Sequence, residues 1–108
     1  MIHVRIFRND NKDIHAFEVS GHAESGPYGH DLVCAAVSAV TFGTVNAVMK
    51  LCEIEPNIEQ GGEGGYLKME LPAISSPEVF QKAQHLLEGM VVSLETIERD
   101  YHQYISIS

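Results

Sequence analysis

The chain has 108 residues, 44% of them hydrophobic, and a formal net charge of −8 at pH 7. That length suits one domain spanning residues 1–108 with one hydrophobic core, and the apolar content means that disorder is not the default reading. The charge argues against non-specific binding to nucleic acid or an anionic membrane, since phosphate would be repelled, and it is compatible with a basic protein partner.

The opening MIHVRIFRND alternates apolar and polar residues and lacks the continuous apolar stretch of a secretory signal. No apolar run is expected to reach membrane-spanning length, so the expected location is the cytoplasm, with no membrane partner. Ile2, Val4 and Ile6 share one face of a strand over residues 2–8. Asn9-Asp10-Asn11-Lys12 reads as a turn. Residues 13–20 alternate again, with Phe17 and Val19 on the inner face, and the two runs make a hairpin.

A glycine-rich loop is expected over residues 21–30, where Gly21, Gly26, Pro27 and Gly29 interrupt regular structure. Asp31 then suits the cap of a helix starting at Leu32. Val33, Val37, Val40, Thr44 and Val48 recur at helical spacing. Ala35, Ala36 and Ala39 leave room for close approach of another element. Residues 54–58 can form a short strand, 61–65 a flexible turn, and 66–71 a strand with Leu67, Met69 and Leu71 on one face. Ser75 and Glu78 have capping-box spacing, with Pro77 in the first helical turn. Val79, Phe80, Ala83, Leu86, Leu87, Met90, Val91, Leu94 and Ile97 trace a wide apolar stripe. Residues 101–107 close the chain as a strand. The order is ββαββαβ, and the simplest packing is a two-layer α/β sandwich with a mixed sheet and two helices.

The chemistry-bearing residues gather between Ser20 and Ser38. His22 follows a strand, and Cys34 is expected in the first turn of a helix. There, free N–H groups and the helix dipole favour a thiolate and can stabilise an oxyanion. The plainer reading is that a cysteine among alanines and valines is packing and that a histidine at a strand end is structural. Joint placement around a glycine-rich loop favours a nucleophile and its base. A disulfide between Cys34 and Cys52 is excluded if both lie on one helix, because 18 steps of ~1.5 Å place them about 27 Å apart. Cys52 therefore reads as packing. Ser38 lies one turn beyond Cys34 on the same helix face. A metal site of His22, His30 and Cys34 competes with the dyad, although Asp31 as cap would leave His30 outside the helix and no CxxC or HExxH spacing is present. The glycines lack the Lys-Ser/Thr of a phosphate loop.

Ser20-Gly21-His22-Ala23, followed by Gly29-His30-Asp31-Leu32-Val33-Cys34-Ala35-Ala36-Val37-Ser38, resembles the motif of the ribosomal-processing cysteine protease family, Prp. The resemblance extends over the whole chain in length and element order. It implies a cysteine endopeptidase with His22 as general base and Cys34 as nucleophile, and supporting roles for Asp31 and Ser38. It also implies a homodimer whose substrate is a large-subunit ribosomal protein with a short N-terminal extension. The segment holding Gly26, Pro27 and Gly29 is expected at the mouth of the site, able to close over an extended peptide. No cofactor is called for. Two other classes stay open: a non-catalytic ribosome-associated binding module with Cys34 as packing, and a His/Cys metal-binding domain.

Overall fold

A computed structural model describes residues 1–22, 28–61 and 65–108, and for residues 28–31 the backbone alone. The order is β1 (Ile2–Arg8), β2 (Ile14–Ser20), α1 (Tyr28–Cys52), β3 (Asn57–Gln60), β4 (Tyr66–Glu70), α2 (Pro77–Tyr101) and β5 (Ile105–Ile107), which is the expected ββαββαβ.

The β1–β2 turn is organised by Asn9. Its side-chain oxygen accepts from the N–H groups of Asn11 (2.9 Å) and Asp13 (3.0 Å), the local mimicry of a backbone turn that Asn favours. The five strands lie in one sheet in the order β3-β4-β2-β1-β5. All neighbours are antiparallel except β1 and β5, which are parallel, so the sheet is mixed. On one face the register aligns Arg5, Glu18, Lys68 and Glu59 across four strands, an alternation of sign that suits directly opposed side chains. Val4, Phe17, Leu67 and Met69 belong to the core, together with Val33, Val37, Val45 and Val48 of α1 and Leu87, Met90 and Leu94 of α2.

The helices pack against each other as well as on the sheet. Ala39, Gly43 and Ala47 of α1 line one crevice with Gly89 and Leu86 of α2; of the three alanines expected to permit a close approach, Ala39 lies there. By length and composition alone, the 21 residues Leu32–Cys52 meet the requirement for a bilayer span, contrary to the expectation from sequence. Here that helix supplies Val33, Val37, Val45 and Val48 to a core shared with the sheet.

Four boundaries depart from expectation: besides the three that follow, β3 lies at Asn57–Gln60 and not at 54–58. First, α1 begins at Tyr28, directly after Pro27, so Asp31 lies within its first turn and is not its cap. Second, the cap of α2 is Ser76, whose hydroxyl accepts from Val79 N–H (3.3 Å), and the Ser75–Glu78 box does not form. Pro77 decides this. A residue before proline is driven out of the helical region, and Ser76 accordingly sits at φ −81, ψ 118. Third, α2 runs through Tyr101, leaving just three residues to β5.

Candidate active site

The end of β2 is held from two sides. Ser20 pairs with His3 of β1 and with Tyr66 of β4. The next residue, Gly21, adopts φ +87, and a Cβ there would collide with the Met1 carbonyl, so only glycine makes this turn without strain. Gly21 N–H donates to the Gly65 carbonyl (2.9 Å), and the Met1 nitrogen donates to the His22 carbonyl (2.8 Å). His22 thus emerges where the starts of β1 and β4 meet the end of β2.

Cys34 approaches the same place from α1. It is half-buried and packs against the core, whereas Cys52 is buried within it, as expected for a packing residue; both are free thiols. His22, Cys34 and Ser38 line one cavity of about 310 Å³. Its apolar wall includes Ile2, Val19, Val37 and Leu67. Tyr66 also lines it, and its hydroxyl donates to the Glu18 carboxylate at 2.8 Å. That hydrogen bond, foremost, holds the Tyr66 phenol above its usual pKa.

The early start of α1 changes one element of the sequence argument. Cys34 lies in the second turn, not the first. Its own N–H is engaged within the helix, and the dipole's influence falls off after the first turn. The N–H groups left free at the helix start are therefore those of residues 28–31.

The other candidate residues stand as follows. Gly29 is helical, so the expected loop is shorter than residues 21–30. Gly26 and Pro27 lie outside the described residues, as do the side chains of His30 and Asp31. His30 is within α1, four residues before Cys34, which removes the objection that it falls outside the helix. Among the described residues, no three His, Cys, Asp or Glu side chains form a group that could hold a metal ion. The contributions of Ile2, Gly65, Tyr66 and Leu67 were not foreseen. They come from the strand order, and the one local hint was the glycine cluster over 61–65.

A family model described as cysteine protease Prp matches residues 1–106. The chain belongs to the Prp cysteine protease family. The ribosomal processing cysteine protease Prp of Bacillus subtilis is 51% identical to it over 108 residues, covering 100% of this chain and 96% of that one. Two crystal structures of the essential ribosomal processing protease Prp from S. aureus share the fold. One is a complex with a substrate peptide, at TM-score 0.86 and 38% identity. The other holds a covalently linked product peptide, at TM-score 0.87 and 40% identity. Both comparisons cover 100% of this chain and 98% of the other. Membership makes the chain a cysteine protease, and a cysteine protease needs a thiol that its substrate can reach. Of the two cysteines, Cys34 lines the cavity and Cys52 does not.

Proposed function

We propose that residues 1–108 form a single cysteine endopeptidase domain acting in the cytoplasm as a homodimer. It removes a short N-terminal extension from a large-subunit ribosomal protein, with Cys34 as nucleophile and His22 as general base. The observation that carries this reading is the convergence of an exposed imidazole and a half-buried thiol, from different elements, on one cavity open to a peptide. The processing role of the curated relatives supports the substrate class.

In the proposed reaction His22 takes the Cys34 proton and the thiolate attacks the scissile carbonyl carbon. The tetrahedral adduct collapses as the C–N bond breaks, and the imidazolium protonates the departing amine. A water, deprotonated by His22, then attacks the thioester, and the carboxylate product leaves as Cys34 is regenerated. Neither half calls for a cofactor. Ser38, one turn from Cys34 and lining the same cavity, supports the dyad by hydrogen bonding near the sulfur. Asp31 is assigned to its support on the family motif. The acidic chain favours approach of a basic ribosomal protein.

The test is incubation with an N-terminally extended ribosomal protein, read by intact mass. Wild type is expected to yield one shortened product. Cys34→Ala is expected to yield none while remaining folded, and His22→Ala nearly none. Cleavage by Cys34→Ala at the wild-type rate would overturn the assignment.

A further inference from the structure

We propose that Gly65 is a positioning residue for the His22 imidazole, an inference that rests on reading His22 as the general base. Gly65 sits at φ +75, in the left-handed region. A Cβ built on it would come 2.6 Å from Cε1 and 3.1 Å from Cδ2 of His22, and closer still to Nε2. All three nearest atoms belong to that one ring. The imidazole therefore occupies the volume that any side chain at 65 would begin to fill.

Other glycines behave differently. A Cβ on Gly43 or Gly89 would meet nothing within 4 Å. On Gly21 it would meet the Met1 backbone, so that glycine serves the turn. At Gly65 the obstruction is a side chain with a chemical task.

The backbones on either side of this contact are tied together. Gly21 N–H donates to the Gly65 carbonyl, the Met1 nitrogen donates to the His22 carbonyl, and Tyr66 pairs with Ser20. The His22 ring, in contrast, belongs to an exposed residue and can turn about its own side-chain bonds. A side chain at 65 would thus cost the fold little beyond left-handed strain, and it would displace the ring. Proton transfer requires heavy atoms within about 2.6–3.2 Å, and a misplacement of about 1 Å can cost roughly 100-fold in rate. The substitution should register in catalysis more than in stability.

The experiment compares Gly65→Ala with Gly65→Asn, in the full chain, on an extended ribosomal-protein substrate. Asn tolerates positive φ better than Ala but carries the same Cβ. Both variants are expected to lose about 100-fold in kcat with little change in KM, although Asn is the more stable. In a His22→Ala background, Gly65→Ala should change the residual rate by less than about twofold, because the group it displaces is gone. The imidazole C–H resonances of His22, recorded in a Cys34→Ala background without substrate, should shift in both Gly65 variants. Recovery of activity in Gly65→Asn in step with its stability would overturn the proposal, since strain alone would then explain the loss. Unshifted His22 resonances would overturn it too. If His22→Ala alone cleaves normally while those resonances still shift, the base assignment fails and the Gly65–His22 contact stands.

Discussion

Gln84, on α2, satisfies both backbone groups of Ile14, 70 residues away in sequence. Its side-chain oxygen accepts from Ile14 N–H at 2.8 Å, and its side-chain nitrogen donates to the Ile14 carbonyl at 2.7 Å. Both residues are buried. Ile14 opens β2 opposite Arg8, where the register with β1 shifts, so these backbone groups lie at an irregularity in the ladder. An amide side chain completes it.

Gln84→Met keeps the size of the side chain and removes both hydrogen bonds. It leaves a buried donor and a buried acceptor without partners, and the expected loss is about 2–4 kcal/mol. Chemical denaturation checks this. Ile14 is at the opposite end of β2 from His22, so the variant that remains folded should cleave substrate at the wild-type rate. A loss under about 0.5 kcal/mol would show that water or a rearranged turn takes over the role of the amide.

The Ser76 cap predicts an asymmetry between neighbouring serines. Ser76→Ala removes the acceptor for Val79 N–H, an expected cost of about 1 kcal/mol. Ser75→Ala should change stability by less than about half of that. Thermal melts of the two variants, side by side, test the assignment, and equal destabilisation would contradict it.

Much of the fold was legible because its periods are clean. β1, β2 and β4 alternate, and α2 carries one apolar stripe. The start of α1 was misjudged because Asp31 has the chemistry of a cap and Gly29 the look of a breaker. The helix tolerates both within its first turn. β3 is an edge strand exposed at every position, so it offers no alternation to read. That His22 and Cys34 line one cavity was accessible because both residues fall in one short segment. The rest of the cavity wall was not, because Ile2, Gly65 and Leu67 arrive through a strand order that no local pattern encodes.

Arg8 and Glu88 form a two-pronged ion pair at 2.7 and 2.8 Å between β1 and α2. The hydrogen bonds from Arg8 hold the Glu88 carboxyl below its ordinary 4.5. A carboxylate whose pKa is depressed by folding adds stability at neutral pH, and that contribution is lost as pH falls below the ordinary value and through the depressed one. With side chains 34% and 46% exposed, screening limits the pair to under about 1 kcal/mol. Glu88→Gln should therefore be slightly less stable than wild type at pH 7, and the difference should shrink as pH falls below 4.5 and through the depressed value. A difference that persists unchanged at acid pH would assign it to packing instead.

The two thiols offer a direct test of the proposed dyad. Cys34 lines the cavity, whereas Cys52 is 5% exposed and sits in the core. Iodoacetamide should label Cys34 first in the native protein, and burial alone is enough to predict that order. The informative comparison is therefore between wild type and His22→Ala at Cys34 itself. A thiolate is the reacting species. If His22 draws the proton from Cys34, its loss slows labelling of Cys34. At alkaline pH hydroxide generates the thiolate in both proteins, and the rates should converge. A denatured control removes differences in access. Because Cys34 lies in the second turn of α1, little of the effect should remain once the imidazole is gone. Rates that coincide for the two proteins at every pH would separate Cys34 from His22 chemically, and the base would have to be sought elsewhere around the cavity.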